Sequence, residues 1–420
     1  MVIRLSWNTG MPQEGRKLKR RLAFGLALPA LILVAGCKSS ALSKARKEFY
    51  SGNYEKADRL LSKKTKTRHN RLLYLVERGV VLHTAGRYEA SNKVFLEAAE
   101  FARDLETASA TRWTASLATS DRAKVYRGEK FERVLIHTYL SMNFLLLENY
   151  ESALVEAKRV LKQLEENEDA FLGQPFPRYL VALCFELLGE YQDAYIEYQK
   201  VYEDVPEFIG LKRELVRMAA LLGRGEDLQK WQKLPGPNVS LKDATSEVIF
   251  FVQTGKGPEK VSDEMFVPPS HRYTIPTFSS LYSRTRYGIV FHGDKELGRS
   301  YQLLDVSIVA QASLDQRLGK VKFKEAIRKG AQEVIALQTD NLLAEVLVRM
   351  SFFAISKADT RSWETLPSNF QIVRIRLSPG TYDFTVSFVD SAEQEVKKVR
   401  LEAVKVPKER PANLSVRVSE

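Results

Sequence analysis

The sequence predicts a mainly α-helical protein, in which a helical solenoid is followed by a C-terminal α+β domain with an antiparallel sheet. Three observations support this. A Gly-x-Tyr motif recurs through the first half of the chain. Residues 234–238 (LPGPN) then end the helical pattern with two prolines and a glycine. Beyond them, short runs alternate apolar and polar residues with the period of two that strands with one buried face require.

The composition is that of a globular protein. The 420 residues are 44% hydrophobic and 28% charged, which excludes a disordered chain and a polytopic membrane protein. Two cysteines and five histidines exclude a disulfide-stapled scaffold, and we expect no metal centre and no cofactor. The net charge of +12 is spread along the chain, so no nucleic-acid partner is expected.

The N-terminus carries a secretion signal. Five basic side chains at positions 16–21 precede the uncharged apolar run 22–34 (LAFGLALPALILV), which is shorter than the roughly 20 residues of a membrane span. The signal ends in Val34-Ala35-Gly36-Cys37. These four residues resemble the lipobox of bacterial lipoproteins. The alternative is an ordinary signal peptide that happens to contain a cysteine.

The lipobox resemblance implies that residues 1–36 are removed and that Cys37 is acylated. Two or three acyl chains hold a protein on a membrane, because each buried methylene contributes about 0.8 kcal/mol. Lys38 stands where an aspartate would signal retention at the inner membrane. The resemblance therefore implies an outer-membrane protein, lipid-anchored and facing the periplasm.

Residues 37–236 repeat a Gly-x-Tyr-x-x-Ala motif, with one substitution in each of the two middle copies. The copies are Gly52/Tyr54/Ala57, Gly86/Tyr88/Ser91, Glu148/Tyr150/Ala153 and Gly189/Tyr191/Ala194. Tyr54 and Tyr88 are 34 residues apart, which is the period of the tetratricopeptide (TPR) repeat. The motif resembles that of TPR proteins and implies stacked antiparallel helix pairs. A generic helical bundle is the alternative.

Two further positions of each repeat fit helix-pair packing. A small residue precedes the motif by seven positions, and a side chain that fills the gap between helices follows its alanine or serine by four. The small residues are Ala45, Gly79, Ser141 and Ala182, and the fillers are Leu61, Phe95, Ala157 and Tyr198. Pro206 closes the last predicted repeat, and residues 101–130 form an insertion expected to contain a helix beside the groove.

A solenoid of this kind presents a concave face built from the first helix of each pair. For this face we predict a partner-binding groove that consists of His83, Thr138, Met142, Tyr179 and Glu186. Its expected partner is an envelope protein or peptide. The alternative is that the C-terminal half of the chain packs into the groove. Cys184 lies in an apolar run and is predicted to be a core residue.

Residues 237–420 are predicted to form the α+β domain, with strands from both of its ends. Strand patterns lie at 248–254, 370–377, 382–388, 399–403 and 414–418. A helical pattern runs from about 301 to 353. Between helix and sheet, Arg361 and Trp363 form a candidate interface hot spot, for which a structural role is the alternative.

No catalytic motif is recognisable: the sequence lacks Gly-x-Ser-x-Gly, His-Glu-x-x-His and a phosphate-binding loop. We therefore expect no enzyme. Three stretches resemble a family of uncharacterised TPR-containing outer-membrane lipoproteins of Gram-negative bacteria: 126–132 (YRGEKFE), 153–157 (ALVEA) and 361–367 (RSWETLP). That family carries no established activity, and its members are thought to occur near lipoproteins that activate peptidoglycan synthases.

The leading hypothesis is a lipid-anchored periplasmic scaffold that binds an envelope protein or peptide, in cell-wall or envelope assembly. A carrier or binding protein for an envelope lipid or glycan is the alternative, and it requires a closed apolar cavity. An enzyme of cell-wall metabolism is a third hypothesis, for which the chain offers no recognisable catalytic set.

Overall fold

Antiparallel helical hairpins build the first half of the chain. The computed structural model describes residues 40–110, 125–236, 239–240, 246–267, 271–279, 283–317 and 359–420. The helices are α1 (Ser40–Tyr50), α2 (Tyr54–Ser62), α3 (Arg71–Thr84), α4 (Tyr88–Ala110), α5 (Lys130–Leu146), α6 (Tyr150–Glu165), α7 (Glu168–Phe171), α8 (Phe176–Leu187), α9 (Tyr191–Asp204), α10 (Leu211–Leu221), α11 (Gly225–Gln232) and α12 (306–317).

The repeat motif sets where the second helix of each hairpin begins. α2, α4, α6 and α9 all begin at the tyrosine of the motif, as the register predicts. Two residues before each tyrosine, the chain turns in the left-handed region, where glycine is favoured. The residues at this turn are Gly52 (φ 79°), Gly86 (φ 71°), Glu148 (φ 55°) and Gly189 (φ 77°). Glu148 therefore occupies a conformation that costs an L-residue about 1–2 kcal/mol.

The small and gap-filling positions meet inside the hairpins as predicted. A Cβ atom added at Gly79 on α3 would lie 2.5 Å from the Phe95 ring on α4. The four predicted fillers, Leu61, Phe95, Ala157 and Tyr198, are all buried. Close approach of the paired helices therefore depends on the absence of a side chain at position 79.

A fifth hairpin follows the four predicted ones, so the repeat that Pro206 closes is not the last one before residue 236. α10 and α11 pack on each other beyond this proline. Gly223 turns the chain between them at φ 67°, as the motif glycines do elsewhere. Glycine stands at position 225, where the other copies carry tyrosine, and this substitution hides the repeat in the sequence.

The predicted insertion at 101–130 is described only at its two ends. α4 continues to Ala110, and the described chain resumes at residue 125, outside any helix or strand, until α5 begins at Lys130. The backbone N–H of Tyr126 donates to the carbonyl of His69 at 2.9 Å, which fixes the returning segment beside α3. The signal peptide and Cys37 lie outside the described residues.

Three sheets form the second half of the chain. The strands are β1 (Ser246–Thr254), β2 (Glu259–Val267), β3 (His271–Ser279), β4 (Tyr287–His292), β5 (Lys295–Arg299), β6 (Tyr301–Asp305), β7 (Asn369–Leu377), β8 (Gly380–Val389), β9 (Glu395–Val406) and β10 (Ala412–Val418). Their orders are β10-β1-β7-β6, β2-β3 and β5-β4-β8-β9. The prediction of strands from both ends of this half is confirmed.

One strand pair departs from the antiparallel prediction. β10 pairs with β1 in parallel, with Val248 opposite Ala412, whereas the other described pairs are antiparallel. A long crossover, which parallel strands require, joins the two strands. The first sheet is therefore mixed.

The predicted helix from about residue 301 begins five residues later. Tyr301–Asp305 pairs with β7 as strand β6. Helix α12 then begins at Val306, because the Asp305 carboxylate accepts the backbone N–H of Ser307 at 2.9 Å and so caps the helix. The helices predicted around Ile327 and Val346 lie outside the described residues.

Residues 41–420 form one compact unit. The apolar faces of the helices share a core with side chains of the first sheet, among them Ile249, Phe251 and Ile372. A second core, which includes Phe250 and Val386, lies between the two four-stranded sheets. The division at residue 236 stays a prediction. Within the described residues, no helix has the length and apolarity needed to cross a bilayer.

Candidate functional site

The concave face of the helical array lies against the mixed sheet. α3 and α5 contact β10, while ion pairs join α8 to β7. All five residues of the predicted groove, His83, Thr138, Met142, Tyr179 and Glu186, are at most 6% exposed. His83 and Glu186 contact strands of the chain's own sheet, which covers this part of the predicted groove.

His83 connects α3 to both neighbouring layers. Its Nε2 accepts the side-chain amide of Gln253 on β1 at 2.8 Å and lies 3.1 Å from the Ser415 hydroxyl on β10. Its Nδ1 lies 2.6 Å from Asn143 Oδ1 on α5, which assigns Nδ1 as the donor. The Tyr139 hydroxyl donates to Gln253 Oε1 at 2.8 Å and completes the network.

This network holds a neutral imidazole. Burial lowers the pKa of His83 to about 4, because the imidazolium would lose its hydration; the hydrogen bond to Asn143 opposes this effect, and the nearby Arg417 reinforces it. At neutral pH the ring is therefore uncharged and serves as a hydrogen-bonded joint between helices and sheet.

Glu186 makes the second connection. Its carboxylate receives two N–H groups of Arg374 on β7, at 3.0 and 3.1 Å, in a bidentate pair. Arg217 on α10 adds a third cationic contact at 2.9 Å, and the Tyr198 hydroxyl donates at 2.6 Å. These cations hold the pKa of Glu186 below its usual value, although burial acts in the opposite direction.

Thr138, Met142 and Tyr179, the other residues of the predicted groove, are buried as well. The Thr138 hydroxyl donates to the Val134 carbonyl one turn back, at 2.8 Å. Met142 is fully buried, and the Tyr179 ring meets the Tyr198 ring edge-on at 5.5 Å. Their role in binding a separate partner stays a prediction, and that role requires the sheet to leave this face.

Arg361, of the predicted hot spot, is tied to its own neighbourhood. It pairs with Asp359, with Nε 2.8 Å from the carboxylate, and donates to Asn70 Oδ1 at 2.7 Å. Its guanidinium lies 5.4 Å from the centre of the Tyr126 ring. The residue therefore joins the end of the insertion to the segment before β7.

Trp363 fills the space between helices and sheet. The side chain is 1% exposed and lies within 6 Å, ring centre to ring centre, of Phe95 and Tyr139. Its backbone N–H donates to Glu132 at 3.1 Å. The position of Trp363 therefore agrees with the alternative of a structural role, because a buried indole offers no surface to a partner.

A buried cluster of charged side chains beside Trp363 was not predicted as a site. Lys260 of β2 forms an ion pair with Glu129, and Arg317 lies 3.3 Å from the same carboxylate. Glu132 accepts the Tyr126 hydroxyl and the Glu129 backbone N–H, and burial raises its pKa. The sequence feature that could have indicated this cluster is the run 126–132, in which charged residues surround the aromatic Phe131. These contacts join the helical array to β2.

An open groove lies on the outer side of the helices, between α4, α5 and α6. Its volume is about 450 Å³. The apolar lining consists of Leu96, Ala99, Ala102 and Ile136, and the charged lining of Arg103, Arg133, Arg159, Lys162, Glu100 and Glu106. Leu96 is 40% exposed and therefore presents an accessible apolar side chain in this groove.

The charges of this outer groove do not balance locally. Arg133 contacts Glu106, and Arg159 reaches Glu156 at 2.5 Å. Arg103 and Lys162 form no ion pair with another described residue. The outer groove therefore combines an apolar floor with a cationic rim.

Cys184 is confirmed as a buried core residue, and burial raises the pKa of its thiol, which keeps it protonated. Across the described ranges, no group of three or more His, Cys, Asp or Glu side chains is arranged to hold a metal ion.

Neither the models of known protein families nor the curated proteins include a match to this chain. Among solved structures, the MamA RS-1 ArsTM double mutant is 15% identical, at a TM-score of 0.34 over 46% of this chain and 88% of that chain. MamA 41-end from Desulfovibrio magneticus RS-1 is 16% identical at a TM-score of 0.32, over 46% of this chain and 86% of that chain. YrrB, described as a TPR protein with an unusual peptide-binding site, is 14% identical at a TM-score of 0.34, over 46% of this chain and 81% of that chain.

Proposed function

We propose that this protein is a lipid-anchored, non-enzymatic scaffold of the outer membrane that faces the periplasm and binds an envelope protein or peptide. The observation that carries the proposal is the outer groove between α4, α5 and α6, which the described residues leave open while the sheet occupies the concave face. No described segment has to move for a partner to reach this groove.

The chemistry of the outer groove favours an acidic amphipathic helix of a separate protein. Leu96 and Ile136 offer an apolar floor for one face of such a helix. Arg103, Arg159 and Lys162 attract carboxylates at its edge. Arg103 and Lys162, which form no ion pair with another described residue, gain most from such pairing.

The anchor follows from the lipobox. Acylated Cys37 lies three residues before α1, so the helical array would stand close to the membrane surface. Replacement of residues 1–37 by a cleavable signal peptide without a lipobox is expected to move the protein from the membrane to the soluble periplasmic fraction. Persistence in the membrane fraction after this replacement would contradict the proposed anchor.

A photo-crosslinking amino acid at position 96 of the full chain, in living cells, tests the proposed groove. We expect one envelope protein to be captured, through an acidic amphipathic segment identified by mass spectrometry. The charge reversal Arg159→Glu with Lys162→Glu should abolish capture. A matched reversal on β9, Lys397→Glu with Arg400→Glu, should leave capture unchanged, because both residues are exposed and lie outside the groove.

The same segment, made as a peptide, should bind the purified protein and lose about tenfold or more in affinity with the groove reversal, since charge-assisted contacts contribute about 1.5–3 kcal/mol each. Equal capture by a crosslinker at the exposed Ile308, or capture that survives the groove reversal, would refute the assignment. Absence of any adduct at position 96 would refute it as well.

A further inference from the structure

A second cavity lies at the far end of the helical array, between α10 and the edge of the mixed sheet. Its volume is about 460 Å³, within the range of small-molecule sites. The walls come from α8, from the turn before α10, and from β5 and β7. Of the predicted groove for a partner, Tyr179 alone lines this end pocket, and the outer groove shares no lining residue with it.

A buried lysine without a carboxylate partner lines the end pocket. The Lys212 side chain is 4% exposed, and its ammonium donates to the carbonyls of Leu234 and Gly236, at 2.8 and 3.2 Å. Among the described residues, no carboxylate lies within ion-pair distance of it. Because a buried charge is costly unless it is paired, this ammonium favours an anion in the adjoining space.

The arginines beside Lys212 add to the positive charge. Arg213 contacts both Glu214 and Glu247, each at 3.0 Å, and among the described residues Arg376 reaches only Glu247, at 3.5 Å. In the described part of this cluster cations outnumber acids: the cations are Lys212, Arg213, Arg217, Arg374 and Arg376, and the acids are Glu186, Glu214 and Glu247. Arg299 also lines the pocket, and it pairs with Glu296 and Glu393.

The lowered pKa of Arg376 agrees with this excess of cations over acids. Burial lowers the pKa of its guanidinium, and the neighbouring Arg213 lowers it further. A bound anion would relieve both effects, since it supplies the missing opposite charge.

Apart from Ser240 and Arg299, the remaining walls of the end pocket are apolar. Phe208, Ile209, Val239, Ile372 and Val373 surround the cationic side, and Tyr179 adds an aromatic face. Inorganic anions gain nothing from such walls, whereas a molecule with an anionic head and a hydrocarbon body satisfies both parts of the lining.

We infer that the end pocket binds a small amphiphilic anion, a carboxylate or phosphate monoester with an apolar body of roughly eight carbons. The head lies at Lys212, Arg213 and Arg376, and the hydrocarbon lies against Ile209 and Phe208. This inference does not rest on the outer groove or on the membrane anchor.

Calorimetric titration of the chain from residue 38 onward, which includes the whole compact unit, tests the inference. The probes are octanoate, octyl phosphate and the uncharged 1-octanol. Acetate, which has a carboxylate but no long hydrocarbon chain, is the fourth probe. We expect at least one of the two C8 anions to bind about tenfold or more tightly than both octanol and acetate, since a hydrogen bond to a charged group contributes about 1.5–3 kcal/mol. The tighter of the two anions identifies the head group.

Variants separate this site from adventitious binding. Lys212→Met and Arg376→Gln should each weaken the preferred anion about tenfold or more; Arg376→Gln keeps the test valid if the Lys212 variant fails to fold. Ile209→Asp should do the same, because it places a negative charge at the rim, where Ile209 is 56% exposed. The matched control is Ile308→Asp, at a position 52% exposed and outside the pocket, and it should leave affinity unchanged.

Three outcomes would overturn the inference. The first is equal affinity for octanol and for the anions. The second is the same affinity in the Arg376→Gln and Ile209→Asp variants as in the unmodified chain. The third is no binding of either C8 anion up to millimolar concentration.

Discussion

Glu186 of α8 and Arg374 of β7 form a bidentate ion pair across the junction between the helical array and the mixed sheet. The side chains are 3% and 5% exposed. The pair therefore joins two parts of the chain 188 residues apart, in a place from which water is nearly excluded.

Arg374→Met should destabilise the protein by about 3–5 kcal/mol, because it leaves the buried Glu186 carboxylate with fewer counter-charges. The measurement is chemical denaturation of the chain from residue 38. Addition of Glu186→Met should recover part of the loss, since it removes the buried carboxylate that has lost its bidentate partner. A loss below about 1 kcal/mol would show that the pair does not hold the junction.

The free energy of unfolding should decrease as the pH falls, because of the buried neutral side chain of His83. The folded-state pKa of about 4 lies below the ordinary value of 6.5, so the unfolded chain takes up a proton first as pH falls. The stability that the neutral ring contributes is fully present above about pH 6.5 and is lost as the pH falls from about 6.5 to about 4. At pH 4.5 the free energy of unfolding should be lower by about 2–3 kcal/mol. Denaturation at pH 7.5 and 4.5 should show this loss in the unmodified chain and a smaller loss in His83→Gln. Identical losses in the two proteins would contradict the prediction.

Gly79→Ala should destabilise the second hairpin by about 1–3 kcal/mol, because the added methyl group meets the Phe95 ring. Phe95→Leu in the same chain should relieve the clash. Gly225→Ala is the matched control: this glycine begins α11 and has no atom within 4 Å of an added Cβ. Thermal unfolding that ranks the two alanine variants equally would contradict the packing argument.

Glu148→Gly should stabilise the protein by up to about 1 kcal/mol, because it removes the cost of a left-handed conformation, partly offset by the flexibility of glycine in the unfolded chain. The converse substitution, Gly86→Glu at the equivalent turn, should destabilise by a similar amount. A destabilised Glu148→Gly variant in denaturant melts would show that the glutamate side chain contributes more than its backbone costs.

Local sequence signals predicted the helical hairpins well. The tyrosines at 54, 88, 150 and 191 begin their helices because turn, cap and packing requirements act within about ten residues of one another. The fifth hairpin was missed because its motif keeps only Gly223. The cap at Asp305 was readable in the sequence, yet the apolar spacing of Leu303, Val306 and Ala310 favoured a longer helix.

The occupant of the concave face could not be read from the sequence. The five groove residues were placed on one face because helical period determines direction. What lies opposite depends on contacts such as Glu186 with Arg374, between segments that no local pattern connects. The end pocket was missed for the same reason, since Lys212 and Arg376 meet only in the folded chain.

The contact of His83 with Ser415 joins residues 332 positions apart. The helical hairpins consist of short-range contacts, which form quickly, whereas this closure has to bring together distant parts of the chain. β10, the strand that completes the cover, is also made after every helix it covers. During synthesis the apolar concave face is therefore complete before its cover exists, and we expect a chain that ends before Ala412 to aggregate or to recruit chaperones. A truncated chain that stays monomeric and shows native-like hydrogen-exchange protection in α3 and α5 would refute this expectation.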